Sequence, residues 1–314
     1  MAYSFIRFRA PGESGTRAGL VSGHHVLPLE QRIDDVVAGW RDIEARCDAL
    51  AADAGGHGWL NYDDVEVLAP VEPRQVIQAG ANYRTHVIDL SLAHRPADDP
   101  RSEEQIAEET AAMMDKRAAE GLAYFFIGLP TAIASAADEL VLPGYSRKHD
   151  WELELAAVIG TEAFRLSPEE ALDHVFGYTM VNDITTRDLV FRKDMPEIGT
   201  DWYRAKNAPG FLPTGPLLLP AKFVDDPQDL KVTLKLNGET MQDESTSDMI
   251  FTVAQLVSQA SQNMPLLPGD LVLTGSPAGN GAHWGRLLRD GDVMEGSISG
   301  LGTQIVRCRD EGTS

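Results

Sequence analysis

The sequence predicts an α+β protein in which strands dominate, with a small N-terminal α+β lobe, and three observations carry that expectation. Apolar runs of strand length, such as ELAAVIG and GYTMVN, recur between Gly and Pro punctuation. Two segments, 34–55 and 102–121, instead have helical spacing or composition with a start or stop signal. An Asn237-Gly238 pair inside DLKVTLKLNGETMQD marks a tight hairpin, and DGDVMEGSISGLGTQIVRC reads as two closing strands.

In chain order, SFIRFRA and GLVSGHHVLPL read as strands joined by a glycine-rich turn, with His24 and His25 on a turn rather than on a metal. A helix over 34–55 stops at Gly55 and Gly56. DVEVLAPV then reaches Pro70 and Pro73, which places a boundary between a lobe of 1–70 and a domain of 71–314. RQVIQAG reads as a buried strand, and the glycine-containing turn after it leads into GANYRTHVIDL. His86 and Asp89 in that stretch share a face if it is helical, so that the carboxylate orients the imidazole; the same spacing also fits a surface histidine beside a chance acid. The segment of about 93–123 reads as an inserted helix, with Ser102 as N-cap, Glu103 and Glu104 in the first turn and a stop at Gly121. It either reshapes a pocket mouth or subunit contact, with Met113 and Met114 packing adaptably, or forms a solvated outer helix.

The stretch 150–188 carries the strongest chemical signal. Glu152 and Glu154 are two apart in an apolar run, so on a strand their side chains point to one face. Two carboxylates held that close repel, and a divalent cation relieves the repulsion. Asp183, in the apolar segment YTMVNDI, is placed to add a third oxygen, and a set with no His or Cys suits Mg²⁺, Mn²⁺ or Ca²⁺ rather than structural Zn²⁺. The spacing alone is equally that of a solvated acidic face. Between the two segments, Ser167, Pro168 and the acids after them open a short helix that ends at Gly177, giving strand, helix, strand.

Downstream, Arg187 suits either a bidentate clamp on a carboxylate or a salt bridge to a nearby acid. The Pro- and Gly-containing stretch 191–216 reads as a long irregular loop holding Lys206, with Tyr203 and Phe211 as pocket walls or plain packing. MIFTVAQLVSQASQ supplies a helix, and LLPGDLVLTGSPAGNG a strand ending in a glycine-rich turn. That turn lacks the Lys-Ser or Lys-Thr pair of a phosphate loop, although its amides and the Thr274 hydroxyl are suited to a carboxylate or enolate oxygen.

Composition narrows the classes. With 43% hydrophobic and 24% charged residues, the 314-residue chain is an ordinary globular protein of one or two domains. Its 27 basic and 48 acidic residues give a net charge of −21, which argues against nucleic acid and anionic membranes as partners. Cys47 and Cys308 are expected as reduced thiols. MAYSFIRFRAPG has no leader character, and no run of ~20 uninterrupted apolar residues follows, so a cytoplasmic location is the default expectation.

The order of the motifs adds a resemblance. GANYRTHVIDL at 80–90, DWELELAAVIG at 150–160, VNDITTRDL at 181–189, AKNAPGFLPTGP at 205–216, LNGETMQDESTSDMIF at 236–251 and PGDLVLTGSPAGNG at 268–281 resemble the fumarylacetoacetate hydrolase superfamily in kind and sequence. The resemblance implies a mixed β-sheet roll, usually a homodimer, and one Mg²⁺ or Mn²⁺ held by Glu152, Glu154 and Asp183. It implies that His86 and an acid at Asp89, where the family more often has Glu, move protons or activate water over the substrate, with Asn82 and Tyr83 of the same motif beside it. It further implies that Lys206 stabilises an oxyanion; Arg187, Tyr203 and Thr274 are the candidate substrate contacts read from the residues themselves. YFFIGLPTAI departs from the family pattern, because Gly128 stands where a lysine is usual. The implied reaction is metal-dependent hydrolysis of a carbon–carbon bond in a 2,4-diketo acid such as an acylpyruvate. Isomerisation or tautomerisation, hydration and decarboxylation of related 2-keto acids use the same kind of site. A non-catalytic, metal-binding dimeric module is the reading from another class.

Overall fold

The computed structural model describes residues 2–93, 95–96 and 98–312, so His94 and Ala97 of the expected insertion lie outside the described residues. The architecture is mixed α+β and strand-rich, as expected. Its centre is a sheet whose strands run Tyr124–Gly128, Val76–Gly80, Leu271–Leu273, Leu153–Ile159, Val175–Asn182, Leu212–Thr214 and Ile133–Ser135, with Leu219–Pro220 also on the 175–182 strand. A second sheet of five strands orders Glu239–Ser245, Lys231–Leu236, Val293–Ile298, Thr303–Asp310 and Leu140–Leu142. A third, also of five, is built by Leu60–Asn61, His25–Pro28, Arg17–Ser22, Ser4–Arg9 and Glu66–Leu68.

The central strand 153–159 shows how sequence alternation sorts the layers. Leu153, Leu155, Ala157 and Ile159 enter the core that also holds Val232, Leu234, Met294 and Val306 from the second sheet. Ala156 and Val158 point the other way, into a core shared with Phe5, Leu20, Val36 and Val37 from the N-terminal segment. A strand buried on both faces reads as a continuous apolar run, which is why AAVI carries no polar residue. Glu154 belongs to the face of Ala156 and Val158, but lies beyond them toward the strand's start, where the N-terminal layer no longer covers it.

Several elements differ instructively from expectation. The single helix expected over 34–55 is two, Ile33–Ala38 and Trp40–Ala52, because Gly39 leaves the helical conformation at φ −102° and caps both. The irregular stretch after 191 contains a short helix, Trp202–Lys206, which Asp201 opens by accepting a hydrogen bond from the Arg204 amide. Its flanking prolines and glycines hid it. By contrast, Glu103–Glu120 begins at Ser102 in a full capping box with Gln105 and ends at Gly121. The 231–236 and 239–245 strands pair around Asn237-Gly238. Cys47 and Cys308 are buried free thiols, and among the described residues no helix is long and apolar enough to cross a membrane.

Candidate active site

Strands 153–159 and 175–182 pair antiparallel with Leu153 opposite Asn182, so Glu152 and Asp183 leave the sheet together. The Asp183 amide donates to the Glu152 carbonyl at 2.8 Å, and the Glu152 amide donates to Asn182 Oδ1 at 2.9 Å. These bonds fix both acids. Oxygens of Glu152, Glu154 and Asp183 lie within 4.8 Å of one another, and all three residues are buried. Glu154 is held from the far side by the Gly275 amide, which donates to its Oε2 at 2.9 Å. Gly275 needs to be glycine there: its φ is +90°, and a Cβ would lie 3.0 Å from that of Asn82.

Two cations approach this cluster. Lys206 Nζ donates to Asp183 Oδ2 at 2.5 Å, to the Asp183 carbonyl at 3.1 Å and to Glu152 Oε2. Arg187 donates from Nε to Asp150 Oδ2 at 2.6 Å and from a terminal nitrogen to Glu152 Oε1 at 2.8 Å. Four carboxylates, Asp150 included, therefore face two cations. Two unit charges 4.8 Å apart repel by about 3.5 kcal/mol at an effective dielectric constant of about 20.

The pKa shifts follow from that imbalance. Burial raises Glu154 well above the ordinary carboxylate value, with Asp183 adding to the rise. Burial likewise pushes Asp183 up to about 6, against the pull of Lys206. Glu152 is the exception: burial acts upward, but Arg187 and Lys206 outweigh it and hold the group below its usual value. Asp183 Oδ1 has no hydrogen-bond partner despite full burial, and both amide atoms of the neighbouring Gln78 are also unpartnered. An oxygen-only donor set, a deficit of two positive charges and an unpartnered carboxylate oxygen all fit a hard divalent cation.

The triad lines a cavity of about 600 Å³, open mouth included. His86, from the helix Arg84–Ala93, looks into it, as do Leu90, Tyr124, Phe126, Trp202 and Ser276. Burial holds the His86 pKa below its ordinary value, so the imidazole is neutral at pH 7. Asp89, one turn further along, does not pair with it. Its carboxylate lies 3.2 Å from Nδ1 of His283, on the Gly281–Trp284 turn, and acts on His86 only through space.

Of the expected site residues, the structure brings together Glu152, Glu154, Asp183, Arg187, Lys206 and His86. It gives the others different work. Asn82 is a buried clamp, donating to the carbonyls of Phe251 at 3.0 Å and Thr274 at 2.8 Å and accepting from the Phe251 amide at 2.9 Å. Tyr83 is wholly buried behind the cavity, and the Thr274 hydroxyl donates to the Leu155 carbonyl at 2.9 Å. Tyr203 is 70% exposed and lines a separate surface depression with Tyr145. On the 202–206 helix, Trp202 and Lys206 are four apart and share the cavity face, so Tyr203 must turn away from it. Phe211 packs edge-on to His149 in the core. The aromatic wall of Tyr124, Phe126 and Trp202 was not read from the sequence; the one available signal was that Trp202 precedes Lys206 by a helical turn.

Residues 75–309 match the family described as fumarylacetoacetate (FAA) hydrolase, C-terminal. The chain belongs to this family. A 2,4-didehydro-3-deoxy-L-rhamnonate hydrolase from Sphingomonas sp. (strain SKA58) is 37% identical over 73% of this chain and 71% of its own. The human mitochondrial oxaloacetate tautomerase FAHD2A is 32% identical over 96% of this chain and 90% of its own. Among solved structures, the fumarylacetoacetate hydrolase of psychrophilic Exiguobacterium antarcticum superposes with a TM-score of 0.76 at 30% identity, covering 99% of this chain and 100% of that one. The fumarylacetoacetate hydrolase family thus contains hydrolases, isomerases and tautomerases, and this chain carries a buried carboxylate triad able to hold a divalent metal.

Proposed function

We propose that the protein is a metal-dependent hydrolase that cleaves the carbon–carbon bond of a 2,4-diketo acid of the acylpyruvate type, giving pyruvate and a carboxylic acid. The observation that carries this reading is one cavity holding both the carboxylate triad and the neutral, buried His86. Mg²⁺ or Mn²⁺ bound by Glu152, Glu154 and Asp183 supplies Lewis-acid polarisation of the adjacent oxygens of a 2-keto acid. Arg187 fixes the Glu152 carboxylate, and Asp150 fixes Arg187. His86 accepts a proton from water, which adds to the distal carbonyl. The bond between C3 and C4 then breaks, the acyl fragment leaves as the carboxylic acid, and C3 of the pyruvate enolate takes up a proton. Lys206, charged and buried beside the triad, offsets the negative charge on the enolate.

Tautomerisation of a 2-keto diacid is the second reading, favoured by the 96% coverage of this chain in the match to an oxaloacetate tautomerase. It needs only the proton transfer by His86. The deciding experiment strips the protein of metal, returns Mg²⁺ or Mn²⁺ and offers acylpyruvates, oxaloacetate and an unsaturated 2-keto diacid. Metal-dependent release of pyruvate with a second carboxylic acid is the expected result. A shift of keto–enol ratio without cleavage replaces hydrolysis by tautomerisation, and no change in any 2-keto acid removes the enzymatic reading.

A further inference from the structure

His86 can move a proton only where its ring faces the triad, and that depends on how its helix is turned. Residues 86 and 89 are three apart on the helix Arg84–Ala93 and share one face, so a hold on Asp89 also sets the rotation of the helix and the direction of the His86 ring. That hold comes from His283, whose Nδ1 lies 3.2 Å from the Asp89 carboxylate. Two other ties act on the first turn. Thr85 donates to Asp248 from its amide at 2.9 Å and from its hydroxyl at 3.2 Å, and Arg84 pairs with Asp115. Both lie on the N-terminal side of His86, whereas His283 takes hold beyond it.

His283 is itself fixed against the carboxylate end of the site. Its amide donates to Asn280 Oδ1 at 3.0 Å, and the Trp284 indole donates to the carbonyls of Met241 at 3.2 Å and Gly279 at 3.1 Å. The turn between them is pinned to Asp150: the Gly281 amide donates to Oδ1 at 2.5 Å and the Ala282 amide to Oδ2 at 3.0 Å. No side chain fits at 281, where a Cβ would lie 2.5 Å from the same Asp150 oxygen and 2.2 Å from the Arg286 carbonyl. Asp150, fully buried, also accepts from Arg187, and Arg187 reaches Glu152. An unbroken series of hydrogen bonds thus runs from Glu152 through Arg187, Asp150 and the turn to His283 and Asp89.

We infer that His283 is a positioning residue for His86: through Asp89 it sets the rotation of the 84–93 helix relative to Glu152, with the turn anchored on Asp150 as the fixed point. This rests on the role proposed above for His86. The ring need not be charged, since a neutral imidazole with its proton on Nδ1 donates to Asp89 as well. At 38% and 29% side-chain exposure the contact adds little to stability, so its consequence is placement. When it is lost, Arg84 and Thr85 still keep the first turn of the helix over the cavity. Substrate then binds, but the imidazole is misaimed, and the loss falls on kcat rather than on KM.

The test uses the Mn²⁺-supplied full chain and whichever 2-keto acid it converts, with His283→Ala, Asp89→Ala, the double variant, and His283→Asn, whose amide nitrogen stands close to the place of Nδ1. His283→Ala is expected to lower kcat about ten- to a hundredfold with KM within about twofold. Amide exchange over 89–93 should quicken about tenfold, while the unfolding midpoint stays within about 3 °C of wild type. Asp89→Ala should match it, the double variant should lose no more than either single one, and His283→Asn should recover most of the rate and the protection. Should His283→Ala fail to fold, Asp89→Ala carries the comparison. An unchanged kcat, unchanged exchange over 89–93, or losses that multiply in the double variant overturns the inference and leaves the hydrolase reading intact. If no 2-keto acid is converted, the hydrolase reading fails and exchange decides: quicker exchange over 89–93 to the same degree in both single variants and the double supports His283 as the hold on this helix, and unchanged exchange overturns it.

Discussion

Glu154 is the clearest residue at which burial and charge oppose each other. Burial and the neighbouring Asp183 both raise its pKa, so in the metal-stripped protein it gains a proton rather than a charge. A carboxyl whose pKa rises on folding stabilises the folded chain below its unfolded value and loses that contribution as the pH climbs through the folded value. Glutamine has no such loss and keeps an oxygen for the Gly275 amide. Glu154→Gln should therefore melt higher than wild type when both are metal-stripped, with a gap that widens as the pH rises above the ordinary carboxylate range. The same variant should lose Mn²⁺ binding by calorimetry and at least about a thousandfold in kcat/KM, because several kcal/mol of Lewis-acid stabilisation disappears. His86→Ala should retain Mn²⁺ and pyruvate binding but lose about 10²–10⁴ in kcat. Because burial holds the His86 pKa below its ordinary 6.5, the rate should fall only on the acid side of that value, as the imidazole gains a proton. A pH–rate profile that keeps this acid limb in the alanine variant would remove His86 from the role of base.

At the scale of elements, the inserted helix 103–120 braces the helix that carries His86. Arg84 donates to the Ala111 carbonyl at 3.3 Å and pairs with Asp115, while Ile106, Thr110 and Met114 are buried. Met113 beside it is 55% exposed, so of the two methionines expected to pack, one does. Met114→Ala should cost about 2–5 kcal/mol in denaturant unfolding. It should also raise amide exchange in 84–93 and KM more than it lowers kcat, since the changed residue touches the brace and not the reacting groups. An unaltered exchange pattern in 84–93 would show that the two helices are not coupled. The His283–Asp89 contact is a second tie on the same helix, joining it to the 281–284 turn.

For the whole molecule, the net charge of −21 opposes the approach of an anionic keto acid. Raising salt from about 10 mM to about 150 mM shortens the Debye length from about 30 Å to about 8 Å. KM should fall over that interval while kcat holds, and a KM that rises instead would mean that local positive charge at the mouth dominates the field.

Local patterns determined much of what the sequence settled by itself. Period-two alternation placed Glu152 and Glu154 together, Ser102 and Gly121 bounded the inserted helix, and Asn237-Gly238 set a hairpin; the order of six motifs pointed to the family. These features rest on neighbours within a few positions or on short runs of fixed residues, and such patterns survive without knowledge of the fold. Gly39 and the 202–206 helix were missed because weak local signals there depend on what packs around them. Tertiary structure alone decided which side chains meet: Asp89 with His283, the Asn82 carboxamide with the carbonyls of Phe251 and Thr274, and Gln78 with the space over Gly128. Each joins segments far apart in the chain, and their contact follows from how strands stack and cross, which no local periodicity encodes. The same holds for the aromatic wall, whose character comes from Tyr124, Phe126 and Trp202 arriving from two separate elements onto one face of the cavity.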